Sequence, residues 1–314
     1  MVQELFLCCL AFGTGFIAAD RWQPLVAWRH AGWCFTEHRS YGGVTRPCPR
    51  SGGFLLMMTL VSGMLPLSVF MVLFVGLSAL VLAVAAFGVM RERAASLLPR
   101  GASRFVLVGL GLVVPDEGLL LLPWVVLFGA RYWIALEAQD RVAGIPAALH
   151  APPLAAGGAL LVLGEPNWIG LFGLITAGGL LGVHALHRFP PRLVYGRSGL
   201  LILAGVEAIT VMALIDAGAW LAIGMAWSLP LVGTVHGAFR PFNGFEIARW
   251  RGEPESGLAY AAGSLSCANG VLVCTTLAQP VVAQLAALAL SLFLAWQFYR
   301  FLVRPSRYRR LHPP

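Results

Sequence analysis

Residues 145–186 read IPAALHAPPLAAGGALLVLGEPNWIGLFGLITAGGLLGVHAL, and this stretch decides the fold class. It contains two apolar runs, 145–163 and 168–186, which are separated by a short turn that carries Glu165. A helix that crosses the hydrocarbon core of a bilayer needs roughly 17–25 apolar residues, and each run has that length. The stretch therefore predicts two consecutive membrane-spanning helices.

The whole chain of 314 residues has the same character, with 58% hydrophobic and 11% charged residues. An average soluble domain has about 25% charged residues, so a soluble enzyme is excluded. We predict an all-α integral membrane protein with ten or eleven transmembrane helices, forming a single polytopic domain over residues 1–314. The predicted spans are 3–19, two within 53–90 with a bend at Pro66, 105–114, 119–136, 145–163, 168–186, 198–214, 219–235, 257–277 and 281–299.

The distribution of arginine predicts the orientation in the membrane. All 22 basic residues are Arg, and the connections between the arginine-rich segments carry acids instead. The positive-inside rule makes the arginine-rich segments cytoplasmic, with the N-terminus outside and the C-terminus in the cytoplasm. The net charge of +8 therefore indicates membrane orientation rather than a nucleic-acid partner. The predicted cytoplasmic parts are the loops 20–52, 91–104, 137–144, 187–197 and 236–256 and a basic tail, 300–314, which suits anionic lipid.

Three of these loops carry residues that are suited to phosphate or metal chemistry. Arg50 precedes small residues at a predicted helix start, and Arg192 and Arg197 precede or begin another predicted helix. Helix N-termini and arginine side chains both bind phosphate groups. Between these two loops, Glu137 and Asp140 lie three residues apart at the end of a span, where they could bind a metal or act as acid and base. Taken singly, each arginine also fits a residue that only sets the orientation of the protein in the membrane. The two acids also fit a helix end that is exposed to water.

In this order the loops resemble the polyprenyl-phosphate N-acetylhexosamine-1-phosphate transferases, a membrane family of the glycosyltransferase family 4 type. Arg39-Ser40 and Pro47–Gly53 are similar to the family's first loop, Asn-x-Arg-Ser-x-His and Pro-x-Pro-Arg-Gly-Gly-Gly, with a small insertion between them. Glu137–Gly144 is similar to Asp-Gly-x-Asp-Gly-x-Ala-Gly, and Pro190–Leu200 to Pro-Pro-Ala-Arg-x-x-Met-Gly-Asp-x-Gly-Ser. The resemblance covers about residues 29–205. It implies a multi-pass protein of the bacterial cytoplasmic membrane, with polyprenyl phosphate and a UDP-sugar as substrates and Mg²⁺ as cofactor.

The sequence departs from the family where the metal would bind. The family's Asp-Asp pair corresponds to Arg91 and Glu92, and the Asp of Met-Gly-Asp corresponds to Arg197. Arginine offers no oxygen ligand. At about 5 Å between the guanidinium group and Mg²⁺, and at an effective dielectric constant of about 20, the repulsion costs roughly 6–7 kcal/mol. We therefore expect no cofactor and predict a cationic pocket that binds the phosphate of a polyprenyl phosphate or an anionic lipid, formed by Arg50, Arg91, Arg192 and Arg197.

The leading hypothesis is a pseudoenzyme, a lipid-phosphate-binding or accessory protein of cell-envelope glycan synthesis whose protein partner the sequence does not identify. One alternative is an active sugar-1-phosphate transferase with altered Mg²⁺ dependence that uses Glu92, Glu137 and Asp140. The other is a transporter of lipid-linked sugars in which Glu207, an acid in the middle of a predicted span, lines the cavity.

Two further expectations concern residues within the spans. The sequence does not identify a partner for Glu207, and it places His150 in a helix kinked by Pro152 and Pro153. Cys267 and Cys274 lie seven residues apart on one helical face, where core packing is expected rather than redox chemistry.

Overall fold

The described part of the chain is helical apart from one β-hairpin. The computed structural model describes residues 2–29, 36–41, 44–49, 52–68, 139, 144–164, 167–187, 193–232, 255–276 and 279–303. Their elements are α1 (Val2–Arg29), β1 (Thr36–Tyr41), β2 (Val44–Pro49), α2 (Gly52–Ser68), α3 (Ile145–Gly164), α4 (Trp168–His187), α5 (Gly196–Asp216), α6 (Trp220–Ala226), α7 (Glu255–Thr276) and α8 (Val281–Val303).

Three helical segments are long and apolar enough to cross a membrane by length and composition, namely Val2–Trp22, Ile145–Leu163 and Val281–Arg300. Two shorter apolar helical segments, Gly52–Met64 and Trp168–His184, accompany them. The described residues therefore form an α-helical membrane protein, as the hydropathy pattern predicts.

The helix bounds follow the predicted spans closely for α3, α4, α7 and α8, but three predictions are wrong in detail. α1 continues to Arg29, so residues 20–29 are not part of a loop. The apolar run marks only the part of a helix that suits lipid, and a helix can continue into water. The predicted loop also contains the β-hairpin, and the predicted span 219–235 is interrupted by a turn at Trp227. The predicted spans 105–114 and 119–136, the loop 91–104 and most of 236–256 lie outside the described residues.

Small residues let α1 and α4 pack with their backbones in contact. A Cβ atom at Gly178 would collide with the carbonyl oxygen of Phe12, and one at Gly15 would collide with the carbonyl oxygen of Ile175. Gly182 faces Ala19 in the same way. Helices in a bilayer gain no hydrophobic free energy from meeting each other, so close van der Waals contact at spacings of four residues stabilises such pairs.

α3 contains Pro152 and Pro153, and a neighbouring helix compensates for the break in its hydrogen bonds. Pro153 has no N–H to donate to the carbonyl of Leu149, four residues earlier. The hydroxyl of Ser266, on α7, donates to that carbonyl at 3.1 Å. His150 lies in this helix together with the two prolines, the kink at the prolines stays a prediction, and the contact with Ser266 joins α7 to α3.

The packing prediction for Cys267 and Cys274 is wrong, because both side chains are exposed on the surface of α7. Lipid tails are as apolar as a protein core, so an apolar residue in a membrane helix is equally suited to either environment. The composition of a span therefore does not tell which of its faces is buried.

Candidate functional site

The N-termini of α2 and α5 meet through two backbone hydrogen bonds. The N–H of Gly52 donates to the carbonyl of Val194 at 2.9 Å, and the N–H of Gly53 donates to the carbonyl of Tyr195 at 2.8 Å. A Cβ atom at Gly199 would lie 2.9 Å from the Cα atom of Gly53. We call this contact of 52–53 with 193–199 the junction. It joins the first and third of the loop motifs found in the sequence.

Tyr195 anchors the junction to α4. Its side chain is fully buried, and its hydroxyl donates to the carbonyl oxygen of Leu180 at 3.4 Å. The preceding residues, Leu193 and Val194, are buried as well. Gly196, the first residue of α5, has a φ of 66°, which residues with a side chain rarely adopt. These contacts fix the direction in which α5 leaves the junction.

The predicted phosphate-binding arginines are only partly within the described part of the chain. Arg197 is the second residue of α5, so its backbone belongs to the junction, and its side chain is outside the described residues. Arg50, Arg91 and Arg192 are outside the described residues altogether. In the sequence, Arg50 comes two residues before Gly52 and Arg192 comes one residue before Leu193.

Both halves of the first loop motif reach into the β-hairpin, and the insertion between them, residues 41–46, contains the end of β1 and the start of β2. β1 and β2 are antiparallel, and their register pairs Arg39 with Arg46 and Ser40 with Thr45. The motif residues Arg39-Ser40 and Pro47–Pro49 therefore lie on opposite strands of one hairpin. This hairpin ends three residues before α2 begins.

A buried polar triad links the second loop motif to α3 and α5. Nδ1 of His150 lies 2.8 Å from Oε1 of Glu207, and Nε2 of His150 lies 2.6 Å from Oε1 of Gln139. His150 and Gln139 are fully buried, and Glu207 is 2% exposed. We call these three residues the triad. His150 is therefore the partner of Glu207 that the sequence did not identify.

Hydrogen-bond chemistry limits the protonation of the triad. The amide oxygen of Gln139 only accepts hydrogen bonds, so Nε2 of His150 carries a proton. The contact at Nδ1 then requires one further proton, bonded either to Nδ1 or to the carboxyl group of Glu207. In both arrangements His150 and Glu207 together are electrically neutral, which avoids the large cost of an isolated charge away from water.

Trp227 completes the surroundings of the triad. Its indole lies close to the carboxyl group of Glu207. The indole ring packs on α3, where a Cβ atom at Gly157 would lie 2.7 Å from Cη2 of Trp227. Trp227, at the turn within the predicted span 219–235, therefore contacts α3.

Gly144 fixes the other end of the second loop motif. Its φ is 82°, and its carbonyl accepts the N–H of Ala148 at 3.1 Å. A Cβ atom here would lie 2.8 Å from Cε1 of His184 on α4. Gln139 and Gly144 thus both contact helices of the bundle, and Asp140 lies between them in the sequence.

The predicted catalytic acids Glu92, Glu137 and Asp140 lie outside the described residues. Within the described ranges, no three His, Cys, Asp or Glu side chains are arranged so that they could hold a metal ion. The expected absence of Mg²⁺ and the alternative role of the three acids both stay predictions.

Searches with models of protein families and against curated proteins find no match to this chain. Any function assigned to this chain therefore rests on the junction and the triad.

Proposed function

We propose that this protein binds a lipid phosphate at the junction, on the cytoplasmic side of the bacterial cytoplasmic membrane, and acts as an accessory protein in cell-envelope glycan synthesis. It would be a relative of the sugar-1-phosphate transferases that has lost their Mg²⁺ site. The observation that carries the proposal is the meeting of two helix N-termini, those of α2 and α5, through the hydrogen bonds of Gly52 and Gly53.

Helix N-termini favour anions because the helix dipole places about half a positive charge at each of them. At the junction two such ends are adjacent, and the first turns of α2 and α5 contain no acidic residue. The N–H groups of Gly52 and Gly53 already donate to the carbonyls of Val194 and Tyr195, so an anion near this position would interact with the two dipoles and not with these two N–H groups.

Arginines supply the remaining positive charge. Arg50, Arg192 and Arg197 are all within two residues of the junction in the sequence, and Arg91 is proposed to join them from the loop 91–104. In the hairpin that precedes α2 in the sequence, the register pairs Arg39 with Arg46. Arginine binds phosphate through two parallel hydrogen bonds and needs no metal to do so.

Charge reversal at Arg197 tests the site. Purified protein in lipid nanodiscs would be titrated with undecaprenyl phosphate, and undecaprenol, which has the same tail without the phosphate, would serve as the ligand control. We expect Arg197→Glu to weaken binding of the phosphate about ten-fold or more, since a charge-assisted hydrogen bond contributes roughly 1.5–3 kcal/mol. The matched control Arg307→Glu makes the same charge change in the basic tail and is expected to have little effect. Equal weakening by both variants would mean that the arginines attract anionic lipid without forming a site.

A nucleotide-release assay separates this proposal from catalysis. The same preparation would be incubated with undecaprenyl phosphate and a panel of UDP-sugars, with Mg²⁺ or with EDTA. We expect no release of UMP under either condition. Release that depends on Mg²⁺ would contradict the pseudoenzyme hypothesis and would indicate that Glu92, Glu137 and Asp140 form a working metal site.

A further inference from the structure

We infer that the end of α8 binds an anionic phospholipid, whose phosphate contacts Arg300 and whose acyl chains lie against Trp296 and Phe293. This site shares no residue with the junction, and it stands whether or not the junction binds a lipid phosphate. The sequence groups Arg300 with the basic tail, 300–314, but the residue belongs to α8, which ends at Val303.

Arg300 lies where α8 leaves the hydrocarbon core of the membrane. The apolar segment Val281–Arg300 has 20 residues. A helix of this length spans about 30 Å, which is the thickness of the hydrocarbon core. Arg300 is the last residue of the segment, and its side chain is only partly buried. When the segment crosses a bilayer, the guanidinium group is therefore level with the phosphates of one leaflet.

Three side chains form a row on one face of α8, which we call the ladder. Cζ of Arg300 lies 4.7 Å from the centroid of the Trp296 ring, and the ring centroids of Trp296 and Phe293 are 6.2 Å apart. Residues three and four positions apart follow one another along the same face of a helix. Trp296 is 49% exposed and Phe293 is 51% exposed. The ladder thus presents a cation at the membrane interface and two exposed aromatic rings beneath it.

The guanidinium group of Arg300 keeps its hydrogen-bond donors available. The Trp296 ring covers one flat face of the group, whereas the N–H bonds point outwards in its plane. In the described part of the chain, Arg300 makes this ring contact and neither a hydrogen bond nor an ion pair. A planar guanidinium group with free donors binds a phosphate through two parallel hydrogen bonds. The lipid phosphates lie at the height where these donors are free.

The local charge favours an anionic phospholipid as the occupant. The segment Val281–Arg300 contains one arginine and no acidic residue. Phosphatidylglycerol has a phosphate and no cationic headgroup, whereas the choline of phosphatidylcholine would bring a second cation close to Arg300. Like charges at short distance repel, so the zwitterionic lipid loses part of the attraction that its phosphate supplies. Aromatic rings suit the interfacial region where the acyl chains begin.

Photo-crosslinking would locate the bound lipid. Full-length protein in phosphatidylcholine nanodiscs would contain a small fraction of phosphatidylglycerol with a diazirine in one acyl chain, and crosslinked peptides would be quantified by mass spectrometry. We expect crosslinking to residues 285–300 to fall about five-fold or more in Arg300→Gln, because a charge-assisted hydrogen bond to the phosphate is lost. Arg300→Lys should fall between the two, since lysine keeps the charge but neither stacks flat on the ring nor binds a phosphate in a bidentate manner. A phosphatidylcholine probe with the same diazirine chain should respond little to Arg300→Gln.

Arg21 on α1 provides a matched control. It lies next to the end of the apolar segment Val2–Trp22, and its side chain is exposed. Its neighbour Asp20 is also exposed, so this helix end has no net charge from the two residues. We expect Arg21→Gln to leave crosslinking to α8 unchanged and Arg300→Gln to leave crosslinking to α1 unchanged. Equal losses at α8 in both variants would show a general attraction of anionic lipid and would overturn the inference.

A double variant tests whether the ring and the guanidinium group act as one site. Trp296→Leu keeps an apolar surface but removes the ring on which Arg300 lies. Because residues of one site are coupled, adding Trp296→Leu to Arg300→Gln should lower crosslinking by less than Trp296→Leu does alone. Fully additive losses would mean that the two residues contact lipid independently, and a site formed by the ladder would be wrong. Unchanged crosslinking in Arg300→Gln would be equally decisive against it.

Discussion

Ser266 is a polar side chain inside the bundle that lies where the backbone lacks a partner. Its hydroxyl satisfies the carbonyl of Leu149 that Pro153 leaves without its helical donor. Membrane helices tolerate proline because neighbouring helices can satisfy the freed backbone groups in this way. The arrangement makes the stability of α3 dependent on a residue more than one hundred positions away.

We predict that Ser266→Ala lowers the free energy of unfolding by about 1–3 kcal/mol, because the Leu149 carbonyl would stay buried without a donor. Thermal unfolding in a mild detergent would measure the change. Ser264→Ala is the matched control, since Ser264 lies on the same helix with an exposed side chain. An equal loss of stability in both variants would show that the hydroxyl of Ser266 has no special role.

For single residues, the sequence identifies functional candidates more readily than it identifies their hydrogen-bonding partners. Glu207 is recognisable as a functional candidate because an acid in the middle of a span is costly unless it is paired. Its partner His150 is 57 positions away on another helix, and no periodicity within either span indicates which helices are neighbours. The one available signal is that two spans each contain a buried ionisable residue, and such residues tend to pair with one another.

Small residues at facing positions hold α1 and α4 together. Gly178 on α4 meets the backbone of α1 at Phe12, and Gly15 on α1 meets the backbone of α4 at Ile175. Each helix therefore contributes a glycine that contacts the backbone of the other helix. A side chain at either glycine would push the two helices apart. Trp22 on α1 adds a hydrogen bond of 2.8 Å from its Nε1 to the hydroxyl of Ser62 on α2.

We predict that Gly178→Ala destabilises the protein by about 1–3 kcal/mol, the usual cost of overpacking a tight contact. Gly13→Ala is the matched control, because a Cβ atom there meets nothing within 4 Å. That variant is expected to be neutral, or stabilising by about 0.5–1 kcal/mol, since alanine favours the helix. Melting temperatures of both variants would be measured side by side. Similar losses in the two would contradict close backbone packing of α1 on α4.

Hydropathy predicts helices better than it predicts their ends or interruptions. The lengths of α3 and α4 follow from uninterrupted apolar runs, because a bilayer of fixed thickness imposes a fixed length. The turn at Trp227 lies inside an equally apolar run, so hydropathy gives no sign of it; the sign in the sequence is Pro230, which has no N–H for the carbonyl of Ala226, where α6 ends. The hairpin of β1 and β2 lies in a polar loop, where hydropathy carries no information about strand pairing.

For the molecule as a whole, the described geometry brings the three loop motifs towards one end of the bundle. α2 and α5 both begin there, and the turn at Gly144 lies against His184, close to where α4 ends. The arginines predict that these loops lie at one end of the bundle, because the positive-inside rule assigns every arginine-rich loop to the same face of the membrane. The sequence did not predict that the first and third motifs share backbone hydrogen bonds, because a motif fixes residue types and not the distance between loops.

The proposed orientation makes a prediction for the intact protein. Asp216 is exposed at the end of α5, where the chain turns towards α6, and three predicted spans separate it from Ser306 in the basic tail. In a variant without native cysteines, we expect a membrane-impermeant maleimide to label Asp216→Cys in intact spheroplasts. Ser306→Cys should be labelled only after permeabilisation, because an odd number of crossings separates the two positions. Labelling of both from outside would contradict the number of spans in this region. The reverse pattern would place the junction on the outer face, where the cytoplasmic UDP-sugar pathway could not reach it.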